Sequence, residues 1–311
     1  MSGGASAPGK ALLSGEYAVL DGAPAIVAAV SRRVDVRWAE KAMAPLAAEV
    51  EATLEIATRA FGAAPSPIEI DVRSLYEGER KLGLGSSAAA AVAAAGAVMA
   101  HHGHDLATRA SKDAVFRSAF EGHAAVAPSG SGVDVASSTY GGFLRFIRSG
   151  NRPEVQPVAR LEGLEIALVW TGQPARTSDL IGAVHRFRDH NPGAYAERID
   201  SLKQQAGRFA EAFAQGRASQ VVEVADAYGE AMQALGNASG APIVDGALER
   251  ARSLARSHGG AAKPSGAGGG DVAVAFFEEK GAMDRFREAC RGAGLLPVDV
   301  TWGVEGVRPE P

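Results

Sequence analysis

The sequence predicts an α+β chain folded as two domains, and three observations carry that expectation. At 311 residues the chain is longer than one minimal core requires. Strand-like and helix-like segments are interleaved, but without the strict βαβ alternation of a parallel sheet. The stretch 148-RSGNRPEVQPVARLEG-163, rich in Pro, Gly and Arg, separates two groups of such segments. The expected domains are therefore 1–160 and 161–311.

In chain order, 10-KALLSGEYAVL-20, 25-AIVAAVSRRVDVRW-38 and 68-IEIDVRS-74 read as strands, with 21-DGAP-24 as a turn. A helical pattern covers about 44–61 and ends at Gly62 and the prolines beyond it. The alanine-rich run 88-AAAAVAAAGAVMA-100 is too short and too weakly apolar to span a bilayer, so it reads as a buried helix. Another helix follows near 107–123, then strands at 141-GGFLRFI-147 and 164-LEIALVW-170. A helix follows 171-TGQPARTSD-179, amphipathic helices lie near 193–215, 218–235 and 244–258, and 271-DVAVAFF-277 reads as a buried strand.

Composition narrows the class. With 46% hydrophobic and 22% charged residues the chain is an ordinary soluble globular protein. A net charge of −4 without a basic block argues against a nucleic-acid partner. One cysteine, Cys290, excludes an internal disulfide framework and fits a reducing compartment; its charged helical surroundings suit a core or helix-face thiol. The opening MSGGASAPGKALLSGEY has no basic region leading into an apolar core, so no export signal and no membrane association are expected, and a cytoplasmic location is.

The 38 glycines cluster. Three groups, 83-GLGSSA-88, 129-SGSGVD-134 and 265-SGAGGGD-271, each carry serines or an aspartate. A single such group is an ordinary turn; three suggest backbone donors converging on phosphate. The first stands at the mouth of the alanine-rich helix, where the leading N–H groups lack internal partners and the dipole is positive. Its spacing also satisfies GxGxxA, with Asp105 downstream, but the preceding 76-YEGERK-81 is charged rather than a buried strand, so a dinucleotide fingerprint fails its context. The run 101-HHGH-104 sits at a helix end, where histidine suits the dipole, and has no Cys or acidic partner spaced for a metal. A serine-hydrolase reading of 129–134 lacks the GxSxG elbow.

Taken in order, 7-APGKALLSGEYAVLDG-22, 82-LGLGSSAA-89, 130-GSGVDVASSTYGG-142 and 263-KPSGAGGGDVAV-274 resemble the GHMP kinases, the galactokinase, homoserine kinase, mevalonate kinase and phosphomevalonate kinase family. The resemblance runs from residue 7 to about 277. Tyr17 after Gly15-Glu16, the DVASSTYGG run and 170-WTGQPARTSDLI-181 are most similar to the phosphomevalonate kinase branch. Val272, where that branch often has Cys, departs from it, and 128-PSGSGVD-134 has the Pro-Ser-Gly flavour of mevalonate kinases two residues early.

The resemblance implies a two-domain fold with mixed or antiparallel sheets, a nucleotide-binding N-terminal domain, and ATP with Mg²⁺. It implies phosphoryl transfer to (R)-5-phosphomevalonate, with mevalonate kinase or a related kinase or decarboxylase as the alternative, in a monomer or homodimer. Lys10 and Asp134 are the expected catalytic pair, and Leu82, Gly83, Leu84, Gly85, Ser86, Ser87 and Ala88 the expected nucleotide loop. Ser86 and Glu121 are the expected Mg²⁺ ligands, since the metal takes oxygen donors and keeps several waters.

Expected acceptor contacts, besides Lys10 and Asp134, are Glu16, Tyr17, Ser131, Gly132, Arg176, Ser178, Lys263, Gly266, Ala267 and Gly268. An alcohol acceptor needs a base to take its proton. A phosphomonoester, with a second pKa near ~6, is already anionic and instead needs cations to screen two phosphates. Arg176, Lys263, Arg145, His185 and Arg186 are candidates for that screening, although each taken singly is also an ordinary surface charge. A catalytically dead paralogue and an NAD-dependent oxidoreductase are the readings from other classes. Retained Lys10, Ser86, Glu121 and Asp134 oppose the first, and the second rests on GxGxxA alone.

Overall fold

The computed structural model describes residues 3–41, 45–64, 67–149 and 153–310. A first antiparallel sheet contains β1 (Gly4–Ser14), β2 (Ala25–Trp38), β6 (Phe143–Ile147) and β7 (Glu154–Val158) side by side, with β3 (Ile68–Asp71) also on β2. β12 (Arg308–Glu310) returns from the chain's far end to pair with β1. A small hairpin, β4 (Tyr76–Glu77) and β5 (Arg80–Lys81), precedes the first glycine cluster. Helices α2 (Ser86–His101) and α4 (Val133–Tyr140) pack on this sheet, and α1 (Ala48–Phe61) and α3 (Arg109–Val126) pack on α2.

The second sheet has the order β11 (Leu296–Val298), β8 (Glu165–Trp170), β10 (Val272–Phe277) and β9 (Ala261–Pro264), again antiparallel. Around it lie α5 (Thr177–His190), α6 (Pro192–Ala214), α7 (Ala218–Ser239), α8 (Gly246–Ser257) and α9 (Lys280–Gly292). Its strands read as unbroken apolar runs because both faces are buried. Leu168, Trp170, Val272, Val274 and Phe276 join the core that also holds the first sheet. The alternate residues Ala167, Val169, Ala273, Ala275 and Phe277 face a separate core with Phe286 of α9 and the buried Cys290. Burial pushes the Cys290 thiol up to about 12, which leaves it a core group rather than a nucleophile.

Two segments differ from the sequence expectation, and a third, 133–140, holds an element where the sequence reading has none. The run 10–20 is not one strand: β1 stops at Ser14, Gly15 takes φ 107, and a short 3₁₀ turn spans Ala18–Asp21. Any side chain at Gly15 would lie 2.4 Å from the Ala25 Cβ, so glycine lets the chain fold back against β2. The DVASSTY run, β-branched and serine-rich, is nevertheless helical as α4, bounded by Gly132 and Gly141. The Pro-rich stretch 148–163 contains β7, whose Pro157 is tolerated because β7 is an edge strand. A division near residue 160 remains our proposal, amended by the return of β12 to the first sheet. No helix among the described residues is long and apolar enough to cross a membrane.

Candidate active site

The site begins at β1. The Lys10 backbone N–H donates to the Leu84 carbonyl at 2.8 Å, which seats the first glycine loop on the strand. Gly83 and Gly85 adopt φ 75 and 79, left-handed backbone that glycine enters without steric cost. Gly85 caps α2 without a side-chain acceptor, and the first helical bond runs from Ala89 N to Gly85 O at 3.0 Å. The N–H groups of Ser86, Ser87 and Ala88 are thereby left as free donors at the positive end of a sixteen-residue helix. The Lys10 stem lies over this loop, since a Cβ on Gly85 would sit 3.1 Å from its Cγ.

The second loop ends in another glycine-capped helix. Gly132, at φ 79, opens α4, and Ser131 Oγ accepts from Val133 N at 3.3 Å. Asp134 stands in the first turn of α4, and its Oδ1 accepts from Val135 N at 2.9 Å. The third loop is tied down from several sides. Ser265 Oγ accepts from Leu12 N at 2.9 Å, near a register shift in β1, and the Tyr17 hydroxyl donates to Ala267 O at 2.6 Å. Tyr17 itself holds φ 61, unfavourable backbone for an aromatic residue, so this clamp is maintained against strain.

Asp271 locks the assembly. At φ 53 its N–H donates to Gln173 O at 2.7 Å and its carbonyl accepts from Thr171 N at 2.9 Å. Its Oδ1 accepts from Ala175 N at 3.0 Å. Gly83 of the first loop is pressed on this side chain: a Cβ there would be 2.4 Å from Asp271 Cβ. Burial raises the Asp271 carboxyl above its ordinary value, opposed by the Ala175 N–H and by the charges of Lys10 and Lys81.

These loops surround one cavity of about 360 Å³. Lys10, Glu16 and Tyr17 line it from the β1 side; Gly83, Gly85, Ser87 and Ala88 from the first loop; and Ser129, Gly130, Ser131 and Asp134 from the second. Gly266, Ala267, Gly268 and Asp271 line it from the third loop, and Pro174, Ala175 and Thr177 close it. Behind Glu16 lies a buried ion pair with Lys263, whose Nζ also donates to Pro264 O at 2.9 Å and stands 5.4 Å from the Tyr228 ring centroid. Burial pushes the Glu16 carboxyl up and the Lys263 ammonium down, and the mutual attraction of the pair opposes both shifts. Tyr228 OH donates to the Glu16 carbonyl at 2.9 Å, while Glu16 Oε2 has no hydrogen-bond partner among the described residues.

The structure does not bring every expected residue to this cavity. Leu82 and Leu84 are fully buried in the core, so their part of the loop offers backbone only. Ser86 is buried and lines a neighbouring apolar cavity beside α1 and β3, whereas Ser87 and Lys81 line both. Glu121 is exposed and, with Gly132, lines a different cavity beyond the second loop, so Ser86 and Glu121 share no cavity. Lys263 is sealed behind Glu16 and cannot meet a ligand directly. Arg176 and Ser178 are exposed and lie outside the lining, although both neighbours of Arg176 are in it. Arg145 sits in the sheet opposite Gln156, and His185 and Arg186 are on α5 outside the lining.

Lys81 and Asp271 are cavity residues that sequence reasoning missed. The available signals were their places, two residues before Gly83 and directly after Gly270. His101 packs edge-on to Trp38 at 5.7 Å, and His102 Nε2 meets Ala63 O at 3.1 Å, so these two histidines pack at the end of α2.

Two glycine-capped helix N-termini and a third glycine loop, with two lysines and two aspartates, form a site suited to anionic groups. The sequence profile for the GHMP kinases N terminal domain matches residues 50–142, and that for the GHMP kinases C terminal matches residues 197–294. The chain is 29% identical to the phosphomevalonate kinase of Streptomyces sp., over 97% of each chain. It is 30% identical to the mevalonate kinase of Aeropyrum pernix, over 98% of each. The structure of Streptococcus pneumoniae phosphomevalonate kinase in complex with phosphomevalonate and AMPPNP superposes with a TM-score of 0.81 at 17% identity, covering 96% of this chain and 99% of that one. The chain belongs to the GHMP kinase family, and it is a phosphotransferase.

Proposed function

We propose that this chain transfers the γ-phosphoryl group of ATP to (R)-5-phosphomevalonate, giving the 5-diphosphate of the mevalonate pathway. The observation that carries phosphoryl transfer is the convergence of the three glycine loops with Lys10 and Asp134 on one cavity. The triphosphate fits the free N–H groups at the start of α2. The adjoining cavity, lined by apolar Leu46, Val50, Ile68, Ile70 and Val72, fits the nucleoside, and Lys81 and Ser87 stand at the junction. An acceptor beside Asp134 then lies against Tyr17, Thr177 and the third loop.

Asp134, Asp271 and Ser87 line one cavity, and Asp271 Oδ2 accepts no hydrogen bond from the described residues. That hard-oxygen set fits Mg²⁺, which takes one or two carboxylates and keeps its waters; when bound, the ion would neutralise charge on the transferring phosphates. Lys10 supplies positive charge beside the reacting oxygens, and Lys81 does so along the triphosphate. Because a phosphomonoester acceptor is already ionised, Asp134 orients Lys10 and the acceptor more than it removes a proton.

The acceptor rests on the branch similarity of Tyr17 and the DVASSTYGG run and on the Streptomyces relative. A second reading, an alcohol acceptor as in a mevalonate kinase, is favoured by one observation: among the described residues, Lys10 and Lys81 are the only cations in the cavity lining. A dianionic acceptor would then draw on Arg176 swinging inward. A coupled ADP-release assay with ATP, Mg²⁺ and either mevalonate, phosphomevalonate, homoserine or galactose separates these readings. Turnover of phosphomevalonate alone is expected, and equal or better turnover of mevalonate overturns the acceptor assignment. Arg176→Ala is expected to raise the KM for phosphomevalonate without changing that for ATP.

A further inference from the structure

Beyond the second glycine loop lies a cavity of about 850 Å³, and Gly130 lines both it and the first cavity. Its floor is aromatic: the Phe116 ring centroid is 5.4 Å from that of Phe120 and 5.5 Å from that of Tyr140. Its rim carries Arg109, Arg117, Arg148 and His123 against Asp113 and Glu121. Arg109 is already engaged. Its Nε donates to Asp113 Oδ1 at 2.8 Å, the Tyr140 hydroxyl donates to the same oxygen at 2.8 Å, and the guanidinium lies 4.5 Å from the Tyr140 ring centroid. Arg117 and Arg148, by contrast, have no carboxylate within 4.0 Å among the described residues.

Two unpaired guanidiniums above an aromatic floor offer fork-shaped donors to a phosphoryl group and a stacking surface to whatever bears it. The volume is within the range of small-molecule pockets, about 300–1,000 Å³. None of these groups has a part in the phosphoryl transfer described above. A packing contact runs from this cavity towards the first. The Phe120 ring is pressed on Gly132, where a Cβ would lie 2.2 Å from its Cε2, and Gly132 caps the helix whose first turn holds Asp134. Tyr140, at the other end of α4, lines the second cavity as well.

We infer that this cavity binds an organic phosphate bearing an aromatic or apolar portion, and that its occupancy reaches Asp134 through Phe120 and the cap of α4. Isothermal titration of the full chain with phenyl phosphate tests the binding, with inorganic phosphate for comparison. Phenyl phosphate should bind at least about tenfold more tightly than inorganic phosphate. Its affinity should fall at least about tenfold in Arg117→Ala/Arg148→Ala, with the thermal midpoint kept, and persist in Lys10→Ala. Unchanged affinity in the double arginine variant, or loss of binding in Lys10→Ala, would place the ligand in the first cavity and overturn the inference. Phenyl phosphate should also alter the wild-type kcat or KM for ATP but not those of the double variant; identical responses would refute the coupling. The titration reads binding rather than turnover, so it stands or falls apart from the acceptor assignment.

Discussion

Replacing Gly83 by alanine tests how tightly the first and third glycine loops are joined. At φ 75 an alanine incurs about 1–2 kcal/mol from left-handed backbone alone. The new methyl would lie 2.4 Å from Asp271 Cβ and Cγ and 2.5 Å from Oδ2, so either the loop or the aspartate must move. Overpacking of that kind costs about 1–3 kcal/mol. Displacing Asp271 also endangers its hydrogen bonds to Ala175 N and Gln173 O, 3.0 and 2.7 Å long, on the opposite wall of the cavity. Gly78→Ala serves as the control: φ is 59 there, but nothing lies within 4 Å, so only the backbone cost applies. Equilibrium urea denaturation should show Gly83→Ala about 1–3 kcal/mol less stable than Gly78→Ala, and Gly83→Ala alone should raise the KM for ATP. Equal stabilities with an unchanged KM would refute the claim that these loops form one wall.

The buried pair yields a pH test. Lys263→Met leaves Glu16 unpaired and should cost about 3–5 kcal/mol, part of which Glu16→Gln in the same chain restores. Burial already raises the Glu16 carboxyl, and loss of Lys263 removes the largest influences that oppose it. The folded variant then binds a proton that the unfolded chain has released, so its stability should rise as pH falls towards the ordinary carboxylate value of 4.5. A flat profile in urea titrations would contradict the assignment. Lys10→Ala should lower kcat by about 10²-fold or more with little change in thermal midpoint. Lys81→Ala should act mainly on the KM for ATP, because Lys81 lines both the cavity proposed for the phosphates and the one proposed for the nucleoside. Asp134→Asn should reduce kcat less with a phosphomonoester than a missing base would with an alcohol; a loss of about 10⁴-fold, the upper range for a general base, would favour the alcohol acceptor.

Much of this chain is legible in its amino-acid sequence. β2 coincides with the expected run 25–38, and the apolar stretches around Leu168 and Val274 are strands. The alanine-rich run is a buried helix, and 107–123 lies within a residue or three of α3. The glycine clusters stand out because glycine carries a conformational-entropy cost that is highest where several occur together. α4 is not legible, since Val, Ser and Thr hold little helical preference and only its contacts with β1 and α2 settle it. For Glu121, distance along the chain from Asp134 carries no information about which side of the second loop the carboxylate faces, and it lines the cavity beyond that loop.

By itself, then, the sequence determined most of the elements, the glycine-opened mouth of the alanine-rich helix, and membership of a family whose motifs occur in order. These are properties of short windows, where backbone sterics and hydrophobic period act locally. Only the tertiary structure decided that Lys263 neutralises Glu16, 247 positions away, and that Asp271 braces Gly83 and the 171–175 segment. It also turned Lys81, and not Arg176, towards the cavity. Burial and side-chain direction at those positions are set by neighbours brought close only when the whole chain packs, so no window of the sequence contains them.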